Sequence, residues 1–154
     1  MEKEKAIEVL NSLITINNDR IEGYETASKE TEESDLKAMF AQFISTSQKC
    51  KEELSREVNT LGGEVAEGTK VSGKFFRAWM DVKAALTGKD RKAILNLCEY
   101  GEDEAKDTYE KALENDSEHL NPKQISMIDA QKMSLKGDHD HIKALRDALV
   151  EADH

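Results

Sequence analysis

The chain contains two similar polar and apolar tracts that are far apart in sequence. Residues 17–27 read N-N-D-R-I-E-G-Y-E-T-A, and residues 102–112 read E-D-E-A-K-D-T-Y-E-K-A. Each tract ends in Tyr-Glu-x-Ala and carries a polar residue two helical turns before its tyrosine, Asn17 in the first and Glu102 in the second. At that spacing the polar side chain and the tyrosine share one helix face. The repeat therefore predicts a helical bundle of two similar halves with polar groups buried between them.

Hydrophobic periodicity predicts four long helices and no strands. The first helix is expected over about residues 3–30, and the second runs from Ser34 as N-cap to a stop at Gly62-Gly63. The third is expected over 91–115 with Asp90 as its cap. The fourth begins with Asn121 as N-cap and Pro122 as its first residue, and runs to about residue 152. The connection at 63–89 contains a further amphipathic segment, roughly Ser72 to Leu86. A connection of this length lets the second and third helices run parallel. We therefore expect an all-α ferritin-like four-helix bundle, with a short helix in the crossover, as one domain over residues 1–154.

Composition narrows the possible partners and location of the protein. The net charge is −10, with 32 acidic and 22 basic residues and no basic stripe, which argues against nucleic acid as a partner. No apolar run is long enough for membrane insertion, and the start of the sequence is amphipathic helix rather than a signal peptide, so we expect a cytoplasmic protein. The two cysteines, Cys50 and Cys98, form no C-x-x-C pair, which argues against a disulfide framework or a thiolate zinc site.

Polar or small residues are expected at one height on all four helices. The expected layer consists of Asn17, Ser47 with Cys50, Glu102, Asp138 with His139 or His141, and the two repeat tyrosines Tyr24 and Tyr109. On the first helix the apolar stripe continues through either Ile21 or Arg20. A buried carboxylate is costly without a partner, so Glu102 must be paired, protonated or bound to a cation.

The layer invites comparison with di-iron bundles, which supply one Glu from each of two helices and Glu-x-x-His from the other two. In this chain the corresponding positions retain Glu102 and an acid–histidine pair on the fourth helix, whereas Ser47 and Cys50 replace the ligands of the second. A working dinuclear centre is therefore not expected. The candidate metal ligands are Glu102, Asp138, His139 and His141, for a single Fe, Mn or Zn ion.

The register of the fourth helix leaves two histidines open. Counting from Leu135 and Ile142 favours His139 as the inward residue, and counting from Leu145 favours His141. Residues two apart diverge by about 200° on a helix, so only one can point deep into the core. We favour His139. In the alternative, structural interpretation, Glu102 and one histidine form a buried ion pair or hydrogen bond that fixes helix register.

Two further features have both structural and functional interpretations. Gly23, Gly101 and Gly137 fall inside predicted helices, where close helix contact is the simpler explanation and a local bulge that admits a ligand is the alternative. Trp79 and its neighbouring phenylalanines in the crossover are expected to cover the side of the bundle; exposed, they would form the surface of a homodimer.

Three stretches carry a resemblance to a known family. They are I-N-N-D-R-I-E-G-Y-E at 16–25, R-A-W-M-D-V-K-A-A-L-T-G-K-D at 77–90, and C-E-Y-G-E-D-E-A at 98–105. Together they resemble a bacterial family of uncharacterised proteins, a domain of unknown function in the ferritin-like superfamily. The resemblance implies a four-helix bundle with a crossover helix and no established activity. It also supports His139, which lies in a stretch similar to the family's last helix.

These observations lead to two functional hypotheses. The first is a non-catalytic or uncharacterised ferritin-like bundle protein with a degenerate mid-bundle metal site, for which a stress-related role is one interpretation. The second is a metal-binding oxidoreductase that oxidises iron or handles peroxide with a reduced ligand set. The sequence assigns no catalytic residue.

Overall fold

A computed structural model of the chain describes residues 2–67 and 91–152. Within these ranges the protein is all-α, as the sequence predicts, with four long helices, one short 3-10 turn and no strand. The elements are α1 (Glu2–Glu30), α2 (Ser34–Thr60), α3 (Arg91–Asn115), the 3-10 turn (Ser117–His119) and α4 (Pro122–Ala152). The expected crossover helix at Ser72–Leu86, its aromatic residues and the Asp90 cap lie outside the described residues. None of the described helices is long and apolar enough to cross a membrane.

Side-chain contacts give the directions of the helices. On α1 and α3, Tyr24 meets Glu102 while Asn17 meets Tyr109, so residue numbers rise on one helix as they fall on the other. These two helices are therefore antiparallel. The short connection between α1 and α2 makes them antiparallel as well. Because α2 and α3 are both antiparallel to α1, they run parallel to each other, which explains the long connection between them.

The end of α2 is defined by two glycines, as expected from the sequence. Leu61 is the C-cap residue and Gly62 has a φ of 77°, in the left-handed region that favours glycine. The Gly62 N–H donates to the Asn59 carbonyl at 3.0 Å and the Gly63 N–H donates to the Val58 carbonyl at 3.0 Å, which is the Schellman arrangement. A Cβ on Gly63 would lie 2.8 Å from Cδ1 of Ile7, so the turn also packs closely against α1.

The two predicted N-caps have different outcomes. The Asn121 side chain accepts a hydrogen bond from the Gln124 N–H at 2.8 Å, and the Gln124 side chain accepts one from the Asn121 N–H at 3.0 Å. This reciprocal capping box agrees with the expected start of α4. On α2 the prediction was wrong, because Ser34 is already helical and Glu33 occupies the N-cap position without a side-chain cap.

The hydrophobic core consists of two clusters, one toward each end of the bundle. One cluster contains Leu10, Leu13 and Leu54 together with Ile128 and Leu135. The other contains Tyr24, Leu36, Phe40 and Phe43 together with Leu95 and Ile142. Four buried polar residues, one from each long helix, lie between the two clusters: Arg20, Ser47, Glu102 and Asp138.

Two glycine-to-alanine substitutions should have opposite effects on stability. Gly62→Ala forces a Cβ into a left-handed conformation and should lower the free energy of unfolding by about 1–2 kcal/mol. Gly137→Ala should raise it by about 1 kcal/mol, because Gly137 is inside α4 and an added Cβ would meet nothing within 4 Å. Urea denaturation followed by circular dichroism measures both changes. Equal signs for the two variants would contradict the assigned backbone conformations.

Candidate functional site

A fully buried arginine occupies the centre of the polar layer. The exposed fraction of Arg20 is 0%. Its Nε donates to Oε1 of Glu102 at 2.9 Å, and its Nη2 lies 2.8 Å from the same oxygen and 3.2 Å from Oδ2 of Asp138. Its Nη1 donates to the hydroxyl of Ser47. A single guanidinium from α1 is thereby bonded to a side chain on each of the other three helices.

The local sequence of α1 explains why Arg20 points inward. Arg20 lies three residues after Asn17 and four before Tyr24, so all three share one helix face. The Arg20 guanidinium carbon lies 5.5 Å from the Tyr24 ring centroid, within cation–π range. The Tyr24 ring in turn stacks on Phe40 at 5.5 Å and meets Phe43 edge-on at 5.1 Å. The aromatic cluster therefore forms one wall of the arginine site.

Tyr24 adds a further hydrogen bond to the cluster. Its hydroxyl donates to Oε1 of Glu102, the oxygen that also receives the Arg20 guanidinium. Burial, followed by the negative charge of Glu102, raises the pKa of Tyr24 well above its ordinary value. The phenol is therefore neutral at physiological pH and acts as a hydrogen-bond donor.

The charges of the cluster compensate one another. Burial by itself would lower the pKa of Arg20, but the negative charges beside it, with Glu102 the strongest, outweigh burial and raise the pKa. Burial also raises the pKa of Asp138, and the attraction of Arg20 offsets this only in part. Removing one partner from such a buried cluster leaves an uncompensated charge away from water. The cluster therefore holds the four helices in one register.

A second polar network lies one to two turns along the bundle from Arg20. Asn17 donates from Nδ2 to the Tyr109 hydroxyl at 2.8 Å, and that hydroxyl donates to Oε1 of Gln131 at 2.8 Å. Gln131 then donates from Nε2 to the backbone carbonyl of Cys50 and to Glu53, both at 3.3 Å. This chain of hydrogen bonds also touches all four helices.

The two networks explain the sequence repeat. In each half of the chain, the polar residue two turns before the tyrosine bonds to the tyrosine of the other half. Glu102 accepts from Tyr24, and Asn17 donates to Tyr109. The repeat spacing therefore sets the antiparallel register of α1 against α3, and the two unlike polar residues give the two networks different charge.

The structure places Asp138, rather than His139, at the inward position of α4. Asp138 is 3% exposed and contacts Arg20. The His139 side chain is 20% exposed, with its Nε2 3.0 Å from Asp103 and 3.8 Å from Glu99 on α3. His139 belongs to a line of basic residues on α4, one every two turns, that face carboxylates of α3: Lys132 with Glu110, His139 with Asp103, and Arg146 with Glu99.

His141 lies on the outer surface of α4. Its residue is exposed, and its ring meets Phe43 edge-on with centroids 6.0 Å apart. Neither histidine is therefore bonded to Glu102, and the ion pair that the structural interpretation assigned to a histidine is made by Arg20 instead.

The two cysteines are buried free thiols. Burial raises the pKa of Cys50 to about 11 and raises that of Cys98 further. A thiol attacks electrophiles as the thiolate, so neither residue has the depressed pKa of a reactive cysteine. Both behave as small core residues.

The single metal ion considered from the sequence would need several of the candidate side chains as ligands. In residues 2–67 and 91–152, no three His, Cys, Asp or Glu side chains converge as ligands. The two central carboxylates already face a guanidinium, which cannot lose its proton at physiological pH. These residues therefore do not fit a divalent cation. Within this cluster, Oε2 of Glu102 is buried and has no hydrogen-bond partner among the described residues.

The sequence pointed to three members of this cluster, left Arg20 as one of two alternatives, and gave no expectation for Gln131 of the neighbouring network. Ser47, Glu102 and Asp138 converge on Arg20, whereas Asn17, Cys50 and Tyr109 belong to the neighbouring network. Arg20 was an open alternative to Ile21 on the apolar stripe, and its spacing from Asn17 and Tyr24 was the available signal. Gln131 had a similar signal, because it lies seven residues before Asp138.

Together, the fold and the buried cluster define an antiparallel helical bundle with an internal arginine–carboxylate ion pair. The chain belongs to a family described as a domain of unknown function (DUF2383), whose model matches residues 5–115. The match covers α1 to α3 and includes Arg20, Tyr24, Ser47 and Glu102, whereas Asp138 lies beyond it. No curated protein matches the chain significantly.

Replacing the buried arginine should be far more damaging than replacing a surface one. Arg20→Met leaves Glu102 and Asp138 buried without a cation and should cost about 3–5 kcal/mol of unfolding free energy. Arg91→Met is the matched control, because Arg91 pairs with exposed Glu33 and Asp35 and should cost about 1 kcal/mol or less. Urea denaturation compares the two.

A double variant tests whether the uncompensated charge of Glu102 causes the loss of stability in Arg20→Met. Adding Glu102→Gln to Arg20→Met removes one uncompensated charge, so the double variant should be more stable than Arg20→Met alone. Strictly additive losses would show that the two side chains are not coupled.

Asp138 should give a pH dependence of defined sign. Its pKa is raised in the folded state, so the folded protein binds this proton more tightly than the unfolded chain. The stability contributed by the bound proton is fully present below the unfolded pKa of about 3.9 and is lost as pH rises through the folded value. Relative to Asp138→Asn, the wild type should therefore become less stable as pH is raised from about 4 to 7. Urea unfolding curves of both proteins across this pH range measure the difference. A wild type that gains stability relative to Asp138→Asn as the pH rises would contradict a raised pKa for Asp138.

Proposed function

We propose that this chain is a non-catalytic ferritin-like bundle protein in which the Arg20 guanidinium takes the central position that metal ions hold in di-iron bundles. One observation carries the proposal. Arg20 is fully buried and its Nη2 lies 2.8 Å from Glu102 and 3.2 Å from Asp138. A positive charge of the protein itself is therefore bonded to the carboxylates that would otherwise bind a cation.

The charge and the hydrogen bonds of Arg20 both support the proposal that it takes the place of a metal ion. A guanidinium is a permanent cation with several N–H donors in a plane, so it binds one oxygen of each carboxylate and, unlike a metal ion, has no coordination position to offer a substrate. Lewis-acid or redox chemistry at a metal requires such an open position for substrate or oxygen. Ser47 and Tyr24 occupy further positions around the cluster as hydrogen-bond partners. The consequence is a fixed structural centre.

The role that follows is that of a scaffold whose helix register is set internally. A buried ionic cluster that spans all four helices selects one arrangement over shifted ones, since any shift would separate Arg20 from Glu102 and Asp138. The stress-related role considered from the sequence stays a prediction.

The metal-binding oxidoreductase remains the second candidate, and one observation favours it. Oε2 of Glu102 is a buried acceptor without a partner among the described residues. A cation or a water molecule at that oxygen would supply the missing interaction.

Metal titration separates the two candidates. Calorimetric titration of the wild type with Fe(II) under anaerobic conditions, and with Mn(II) and Zn(II), should show no binding near one equivalent. Arg20→Ala should gain divalent-cation binding, because it leaves two carboxylates and Ser47 around a vacated position. Arg20→Lys is the control that keeps the positive charge and should gain none, with circular dichroism establishing that each variant is folded.

One result would reject the proposal. Stoichiometric binding of Fe(II) to the wild type, abolished by Glu102→Gln in a protein that remains folded, would establish Glu102 as a metal ligand and favour the oxidoreductase.

A further inference from the structure

Part of the outer surface formed by α2 and α4 is free of charged side chains. Charged residues make up 35% of the chain, yet from Ala130 to Ala144 the exposed residues on one side of α4 contain no Asp, Glu, Lys or Arg: Ala130, Met133, Ser134, Gly137, His141 and Ala144. Lys123, two turns before Ala130, is the charged residue at the edge of this stretch. The exposed residues on its other side are all charged: Asp129, Lys136, Asp140, Lys143 and Asp147. On α2, the facing surface contributes exposed Ala38, Gln42 and Ser45, and exposed Lys49 follows one turn further on. We call these uncharged exposed residues of α2 and α4 the α2/α4 face.

Depletion of charge is what distinguishes the centre of protein interfaces from the rest of a surface. Met133 adds an apolar anchor to this face. It is 63% exposed and is the one large exposed hydrophobic residue among those described. Methionine is flexible and polarizable, and it is over-used at binding surfaces because it adapts to irregular partners.

A groove lies beside Met133 on the same face. Its volume is about 310 Å³, and its walls come from α2 and α4, including Gln42, Ser45, Ala130 and Ser134. The floor is formed by buried Cys50 and Gln131. The α2/α4 face therefore has both a projecting side chain and a recess.

Nothing in the described part of the monomer requires a glycine at position 137. A Cβ at this position would meet nothing within 4 Å, so no close helix contact inside the chain requires glycine. A glycine in an exposed helix interior costs about 1 kcal/mol relative to alanine. Close approach of another helix to the outer surface of α4 would explain it, and Ala130 and Ser134 are also small enough for such an approach.

We propose that the α2/α4 face is the interface of a twofold-symmetric homodimer, in which Met133 of each copy enters the groove of the other. A twofold interface uses one surface patch twice, so that patch must complement itself. The projecting Met133 and the adjacent groove meet this condition. The partner is therefore a second copy of this chain.

Charge complementarity supports a second copy. Lys49 and Glu53 both line the groove, four residues apart on α2, and Lys49 makes no ion pair within the described residues. With the two α2 helices antiparallel across the twofold axis, Lys49 of one copy faces Glu53 of the other, and this pair occurs twice. The net charge of −10 makes two copies repel each other elsewhere, so a face whose charges are paired across the axis is the favoured place of approach.

Analytical ultracentrifugation of the full chain over about 1–200 μM tests the proposal. The wild type should show a concentration-dependent dimer. Met133→Asp and Gly137→Lys should each weaken dimerisation at least tenfold. Lys143→Asp, which introduces the same residue as Met133→Asp on the charged side of α4, should leave it unchanged.

Charge reversal identifies the partner as a second copy in this orientation. Lys49→Glu and Glu53→Lys should each weaken the dimer, and the double variant should restore it because both pairs are reversed together. A wild type that remains monomeric at the highest concentration would overturn the proposal. A dimer that withstands both Met133→Asp and Gly137→Lys would overturn it too, since the interface would then lie elsewhere.

Discussion

The ionic contact of Arg20 with Glu102 and Asp138 is the constraint on which the rest of the structure depends. A buried guanidinium is tolerated only where its donors meet acceptors, and here those acceptors come from α2, α3 and α4. The two apolar clusters of the core lie on either side of this contact. Hydrophobic packing alone would permit several helix registers, because apolar contacts are not directional. The arginine cluster selects among them.

The sequence repeat corresponds to the contacts between α1 and α3. Each half of the bundle supplies a tyrosine and a polar residue two turns before it, and the two halves exchange these groups across the α1–α3 contact. The exchange is unequal, since one polar residue is the amide Asn17 and the other is the carboxylate Glu102. Arg20, from the opposite half, neutralises the charge of Glu102. The residue at the corresponding position of the second tract is Ala105, which carries no charge. The shared spacing of the two tracts therefore explains the register, and the difference between their residues explains the ion pair.

Helix existence, the glycine stop of α2 and the capping box of α4 were predictable because they depend on local patterns of a few residues. The start of α2 was not, since Ser34 is the better N-cap residue by type and yet is already helical, one residue after Glu33. In the polar layer, Ser47, Glu102 and Asp138 were found from their helix faces. Of the two histidines, the favoured His139 is the less exposed, but it faces α3 rather than Arg20. Adjacent positions differ by about 100° around a helix, and Asp138 takes the innermost one.

The sequence by itself determined the helical class, the helix faces and the need for Glu102 to have a partner, because periodicity and the cost of burying a carboxylate are properties of the chain. Only the tertiary structure decided which partner that is. Arg20 is far from Glu102 and Asp138 in sequence, and a long side chain can point to solvent or to the core with the same helical spacing. The choice depends on what the other three helices bring opposite it, which is a property of packing rather than of any single segment.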